Sequence, residues 1–247
     1  MHFLDDILPL WGVCEYQGGC VIAAAFPYRL PEEHYAGRNV SRYAAVRDYH
    51  KICGARLERA RERLGALYPG KTFEWHYEKP FLPEVELAEK AGIGYRGRHN
   101  LLITPAYGSW VFLGIIIARG FVLSPDSCPL MPDPCEGCPG HCVKACPTGA
   151  LNQGGAFDRA RCISHISQKK GDLTPEEAIL LGQAGTAWGC DICQEACPRN
   201  RQSRIDPLPE FLVDPISRVT METPAEGRAW AWRGKAVIQR NISVLKE

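Results

Sequence analysis

Eight cysteines fall between Cys135 and Cys197, in the segments CEGCPGHCVKACP, CISH and GCDICQEACP. Their order is Cys135-x2-Cys138-x3-Cys142-x3-Cys146-Pro147, then Cys162, then Cys190-x2-Cys193-x3-Cys197-Pro198. Soft thiolates so spaced suit iron–sulfur clusters or zinc. In two-cluster ferredoxins the cysteine before proline ligates the other cluster. On that pattern Cys135, Cys138, Cys142 and Cys197 hold one 4Fe–4S cluster, and Cys146, Cys162, Cys190 and Cys193 hold a second. The first set carries one residue more than the usual C-x2-C-x2-C-x3-C-P, at Gly140-His141. Structural zinc is the alternative, and the paired Cys-Pro dipeptides favour the clusters over it. Cys14, Cys20 and Cys53 lie in apolar surroundings and read as core thiols. Cys128 has no partner spacing that recommends it as a ligand.

Two clusters in relay move single electrons. A ferredoxin needs only a fraction of 247 residues, so the upstream chain requires a purpose of its own, catalytic or docking. The net charge is +1, from 29 basic and 28 acidic side chains, which gives no global signal for nucleic acid or membrane. The N-terminal MHFLDDILPLWG lacks a basic region and is interrupted by aspartates, unlike a secretory signal. The apolar run 110–117 is too short to span a bilayer. These features predict a soluble, cytoplasmic protein with no membrane partner, whose twelve cysteines serve metal rather than disulfides.

The elements that must position this chemistry are partly legible. CVIAAAFPY (20–28) reads as a buried strand, with WGVCEY as its partner. Residues 41–68 show helical apolar spacing at Ile52, Leu57, Ala60, Leu64 and Leu67, which predicts one amphipathic helix. TFEWHYEKP reads as a strand ending at Pro80, and EVELAEKAG as a helix after Pro83. LLITP and SWVFLGIIIA, joined by AYG, suggest a hairpin. TPEEAILLGQA opens with a threonine cap and proline, a helix start. The expected fold is α+β: a mixed-sheet domain followed by a ferredoxin-like domain with two 4Fe–4S clusters. Its expected domains are a catalytic one over 1–123, the cluster domain over 124–204, and a basic tail segment over 205–247.

What the first of these domains binds is implied by a resemblance. DYH (48–50), AGIGYRGRHNLLITPAYGSWVFLG (91–114), CPTGAL (146–151), RCIS (161–164), GCDICQEACPRN (189–200) and WRGKAVIQRN (232–241) together resemble the epoxyqueuosine reductase family. The match runs in order from Val21 onward. It implies a cobalamin-dependent iron–sulfur enzyme, acting as a monomer, that reduces epoxyqueuosine to queuosine in the anticodon loop of tRNA. An external low-potential donor supplies its electrons. The family's proton donor is an aspartate ahead of the helix leading to AGIG, and the matching position here is Glu78. A glutamate can act as general acid, with its carboxyl displaced by roughly an ångström relative to aspartate. An exposed carboxylate paired with Lys79 is the plain alternative. The resemblance places Ser41, Arg98, Leu102, Ser109 and Leu113 against the corrin, with Ser164 and Asp191 facing it from the cluster side. Core packing is the alternative for Leu102 and Leu113. Lys170 is the candidate RNA contact, among Lys169, Arg199, Arg201, Arg204, Arg233, Lys235 and Arg240. Tyr49 and Tyr95 are alternative proton donors, and neither His50 nor His99 is assigned to cobalt. Longer family members carry a helical-repeat extension after the RN segment that this sequence lacks. Two other readings stay open: a corrinoid reductase of a small molecule, dehalogenase-like, and a non-enzymatic two-cluster electron carrier.

Overall fold

The computed structural model describes residues 3–78, 82–123, 132–133, 135–152 and 156–245. Cys128 and most of the proline-rich stretch read as a domain boundary lie outside them. The chain divides into two compact units, Met1–Pro27 with Tyr49–Glu136, and Tyr28–Asp48 with Gly137–Glu247.

In the first unit β1 (Leu10–Tyr16) and β2 (Gly19–Pro27) form the expected pair. Gln17 and Gly18 join them at φ 48° and 74°, both left-handed, as a two-residue hairpin with native strand twist demands. The helix expected over 41–68 is two helices. The first, α1 (Arg42–Ala45), belongs to the second unit and ends where Val46 turns extended. The second, α2 (Tyr49–Leu67), returns to the first unit. After it come β3 (Phe73–His76), α3 (Glu84–Lys90), β4 (Tyr95–Arg96), β5 (Leu102–Ile103) and β6 (Val111–Ala118).

The main sheet has the order β1-β2-β6-β3, and every pair is antiparallel rather than mixed. β2 and β3, linked through α2, run parallel to each other, but β6 lies between them and opposes both. This split arrangement removes the parallel pairing that a strand–helix–strand sequence suggests. The expected hairpin of β5 with β6 is also absent. β6 has both edges occupied by β2 and β3, so β5 pairs with β4 in a separate two-stranded sheet. The AYG turn is closed locally by the Thr104–Gly108 bridge.

β2 is buried along its whole length because both sheet faces are covered, which explains its unbroken apolar run. Val21, Ala23 and Ala25 pack with Leu87 and Ala88 of α3. On the other face α2 approaches so closely that a Cβ on Gly114 would stand 2.7 Å from Leu57. Trp75 of β3 donates its indole N–H to Glu58 of α2 at 2.8 Å.

Beside α1, the second unit carries the short helices α4 (His141–Ala145), α5 (Ile163–Ser167), α6 (Pro175–Ala184), α7 (Ile192–Glu195), α8 (Pro198–Arg201) and α9 (Lys235–Ser243). The helix expected from TPEEAILLGQA is α6. Thr174 and Glu177 form a reciprocal capping box, and Gly185 closes the helix left-handed. Ile163 and Ile166 pack on Leu181 beside Val244. The buried Asn241 donates to the carbonyls of Ser167 and Ala187, both at 2.7 Å. Among the described residues no helix is long and apolar enough to cross a membrane.

A Cβ on Gly12 would stand 2.0 Å from the Ala91 carbonyl oxygen, a backbone atom with nowhere to go. Gly12→Ala is expected to lower unfolding stability by about 1–3 kcal/mol in urea denaturation. Gly65→Ala, in open space on α2, is the control, expected to be neutral or to gain up to about 1 kcal/mol.

Candidate functional site

The cysteines of the second unit sit at the joints between its short helices. Cys142 lies in α4, and Cys146 ends that helix before Pro147. Cys162 separates the single turn Arg159–Arg161 from α5. Cys193 lies in α7, and Cys197 precedes α8 with Pro198 in its first turn. Proline after cysteine thus serves chain geometry: it cannot continue one helix and is welcome at the start of the next. The extra residue before Cys142 also has an explanation. Gly140 turns left-handed at φ 77°, and His141 begins α4. The insertion is taken up in one glycine turn.

The thiols crowd one another. Burial pushes the Cys190 thiol up to about 12 against the Ile192 N–H, with Asp191, Cys162 and Cys146 adding to the rise. Burial likewise raises Cys193, with Cys190, Cys162, Asp191 and Cys142 contributing. Cys146 goes the other way. Burial opposes its ionisation, but the Thr148 hydroxyl and the backbone N–H groups of Leu151, Thr148 and Ala150 hold it below the ordinary thiol value. Thiols of both expected sets, Cys142 with Cys146, Cys162, Cys190 and Cys193, therefore lie within electrostatic reach of one another. Buried thiols this close ionise together only around a metal's positive charge. The donor set fits an iron–sulfur group. Among the described residues no three or more His, Cys, Asp or Glu side chains are gathered for a single metal ion. In the first unit the Arg98 N–H donates to the Cys135 sulfur at 3.4 Å, a contact of the kind that tunes cluster potentials.

Within the second unit the segment 38–42 lies against 188–191. The Asp191 carboxylate is 1% exposed, and one oxygen accepts from the Arg42 N–H at 2.7 Å and from Arg38 at 2.9 Å. Burial nonetheless pushes its pKa up to about 6, against the Arg42 N–H and Arg38. Arg38 and Arg42 also grip Glu195, at 2.5 and 3.3 Å, and Arg42 grips Glu32 at 3.0 Å. The Ser41 N–H donates to the Trp188 carbonyl at 2.8 Å. Gly189, at φ 73°, fits only because a Cβ there would meet the Ser41 hydroxyl at 2.0 Å. Ser41 Oγ, Trp188 Nε1 and the second Asp191 oxygen are buried with no hydrogen-bond partner. Three orphaned polar atoms on adjoining segments suit the amide-rich rim of a corrin. Ser164 belongs to the same neighbourhood. Its carbonyl accepts from Gln168 at 3.0 Å, and Gln168 also reaches the Tyr43 hydroxyl at 3.4 Å.

In the first unit Glu78 stands at φ 49°, a left-handed backbone rare for glutamate. Tyr49 donates its hydroxyl to one carboxylate oxygen at 3.1 Å, and His50 Nε2 lies 3.0 Å from the other. Tyr49 is fixed in turn by stacking on Phe112, with centroids 4.1 Å apart, and on His50, at 4.2 Å. Sequence reasoning singled out all three residues but did not join them, because 28 residues separate His50 from Glu78. Leu102 is buried in the apolar core with Leu113 packed against it. Ser109 is buried and Arg98 exposed. His99 is buried and held neutral, with its pKa pushed down to about 4 by burial. Lys170 is exposed on a loop pinned from both sides, where Lys169 pairs with Glu177 at 2.6 Å and Arg240 donates to the carbonyls of Lys169 and Gly171. Arg38, Arg42 and Trp188 had no signal in the sequence, since nothing in their spacing points to residue 191.

Removing Arg38 leaves Asp191 a buried carboxylate short of its cation. Arg38→Ala is expected to cost about 3 kcal/mol of unfolding stability, checked by thermal denaturation of the metal-loaded protein, whereas the Arg204→Ala change at an exposed pair is expected to cost less than about 1.

Comparison with known proteins converges on one family. Residues 17–77 match the family model "Epoxyqueuosine reductase QueG, DUF1730", and residues 134–200 match "4Fe-4S double cluster binding domain". The chain is 34% identical over 248 residues to the epoxyqueuosine reductase of Listeria monocytogenes, covering 94% of this chain and 64% of that protein. It is 34% identical over 239 residues to the enzyme of Gloeobacter violaceus, covering 92% of this chain and 73% of that protein. A crystal structure of epoxyqueuosine reductase with an epoxyqueuosine-modified tRNA(Tyr) stem loop superposes with a TM-score of 0.76 at 28% identity, covering 91% of this chain and 63% of that one. The chain thus spans under two thirds of the Listeria protein's length. With α+β architecture, iron–sulfur-binding cysteines and these similarities in hand, this chain belongs to the epoxyqueuosine reductase family.

Proposed function

We propose that this protein reduces epoxyqueuosine to queuosine in the anticodon loop of tRNA. The observation that carries the reading is Glu78. It is held through both carboxylate oxygens and keeps half its side-chain surface open to a substrate, at the position where the resemblance puts the family's proton donor. The relative crystallised with a modified stem loop supports tRNA as the substrate class.

Removing the epoxide oxygen as water leaves an alkene and consumes two electrons and two protons. Glu78 delivers a proton to the leaving oxygen, and His50, 3.0 Å from the other carboxylate oxygen, returns one from solvent. Tyr49 keeps the carboxyl aimed. The remaining groups are proposed on the same footing. Cys135, Cys138, Cys142 and Cys197 hold one 4Fe–4S cluster, and Cys146, Cys162, Cys190 and Cys193 the second. Ser41, Arg98, Leu102, Ser109, Leu113, Ser164 and Asp191 are the proposed cobalamin contacts. When bound, the corrin supplies low-potential cobalt chemistry at the epoxide. Lys170 takes an RNA phosphate, and the protein acts in the cytoplasm, where its substrate resides. The functional segments are 1–123 for catalysis, 124–204 for the clusters and 205–247 as a basic tail.

The test is conversion of an epoxyqueuosine-bearing anticodon stem loop by the loaded protein under a strong reductant. Queuosine is expected from the parent chain. Glu78→Gln is expected to lose at least about a hundredfold in turnover, with cobalamin absorbance retained. Glu78→Gly, which relieves the left-handed backbone, is expected to stay within about 1 kcal/mol of the parent stability while remaining inactive. Full activity in either variant would remove Glu78 from the chemistry. A parent chain that leaves the stem loop untouched but reduces a halogenated small molecule would favour a dehalogenase-like reductase.

A further inference from the structure

Reduction needs electrons from outside the chain, and the second unit carries a surface suited to receiving them. Residues 156–171 contain Arg159, Arg161, Lys169 and Lys170 against a single acid, Asp158. Asp158 is spent locally, accepting from the Ala160 N–H at the start of its turn. Arg159 donates to His165 Nδ1 at 3.2 Å. The Arg161 guanidinium lies against Gly149, with Nη2 3.5 Å from where a Cβ would stand. Gly149 in turn donates its N–H to the Cys146 carbonyl. The two arginines therefore flank the chain that carries Cys146 and Cys162. From the C-terminal segment Arg233 stacks its guanidinium on the Trp232 ring at 3.8 Å. Trp232 remains 56% exposed, and Phe157 is 39% exposed. Arg159 and Arg233 lie within electrostatic reach of the same imidazole: burial lowers the His165 pKa, and Arg159, Arg233 and Lys169 lower it further against Glu177.

We propose that this basic, aromatic-bearing face beside Cys146 and Cys162 docks an acidic one-electron carrier protein. The inference deepens the reductase reading and rests on the iron–sulfur role of those cysteines. Complementary charge steers a transient electron-transfer partner, and an exposed aromatic at the centre gives it a contact without a large buried area. The position selects the partner. Electron transfer falls steeply with distance, so a carrier gains from docking over the metal ligands. The RNA contact is assigned to Lys170, beyond the ion-paired Lys169. In each encounter a carrier such as the anionic hydroquinone of flavodoxin loses one electron and becomes the neutral semiquinone, with no proton released. The electron passes to the iron–sulfur group, and two encounters supply one epoxide reduction.

The test uses the metal-loaded protein without any epoxide and follows bleaching of the iron–sulfur absorbance. An acidic flavodoxin hydroquinone is one reductant, and photoreduced deazaflavin, small and neutral, is the other. With flavodoxin the parent rate is expected to fall as salt rises. Arg159→Glu and Arg233→Glu are expected to slow it at least about tenfold at low salt, Arg159→Gln and Trp232→Ala by less, and none is expected to alter the deazaflavin rate. Unchanged flavodoxin rates in the two glutamate variants would overturn the proposal. So would equal slowing with both reductants, or weakened stem-loop binding with an unchanged flavodoxin rate, which would make this an RNA surface. Because bleaching is read without substrate, failure here is distinct from failure to convert epoxyqueuosine.

Discussion

A single buried carboxylate ties the second unit together. Asp191 follows Cys190, so whatever fixes Asp191 also fixes the neighbouring thiol. It is fixed by the Arg42 N–H and the Arg38 guanidinium, from a segment about 150 residues earlier in the chain. A carboxylate withdrawn from water is tolerable only with such partners, and the arginines in turn need Glu32 and Glu195. The network is therefore closed on itself, which makes the residues around Gly189 and Ser41 a rigid shelf rather than a loop. The orphaned atoms of Ser41, Trp188 and Asp191 face no protein partner within that rigid setting, the state expected of a preorganised binding surface.

The first unit solves a different problem: holding one half-exposed carboxyl, that of Glu78, in a defined attitude. Glu78 accepts a left-handed backbone that a glycine would adopt at less cost, and its side chain is gripped by two rings from the start of α2. Those rings are anchored on Phe112 of β6, in the middle of the sheet. Local strain supported by a well-packed scaffold is typical of a functional position. The relation also explains why the helix read over 41–68 breaks before Tyr49. The turn at 46–48 starts α2 afresh, with Tyr49 and His50 at its first positions.

Much of this was legible in the sequence, and the reasons for the remainder are physical. Cysteine spacing and the Cys-Pro pairs are local signals, and local signals survive into structure. The same holds for the Thr174 cap and for the β1–β2 pair. Gly140 shows the limit: an inserted residue looks like a defect until its left-handed turn is known. Sheet order was beyond reach, because apolar strands identify themselves but not their neighbours, and β6 intervenes where a parallel pair seemed natural. The Tyr49–His50–Glu78 contact and the Arg38–Asp191 pair join residues 28 or more positions apart, with no periodicity to announce them. Leu102 and Leu113 illustrate the converse, residues singled out by resemblance whose surroundings within their own unit are apolar core.

The chain passes between its two units at residues 27–28, 48–49 and 136–137. The cysteine-rich segment is therefore not a cassette. A fragment beginning at Gly137 would carry seven of the eight cysteines but neither the arginines that hold Asp191 nor the strand-like contact of Val40 with Trp188. On the ribosome, residues 28–48 emerge long before their partners and must wait for them. Recombination that moved the cysteine-rich segment alone would break the second unit, so residues 28–48 and the segment after 137 are bound to change together.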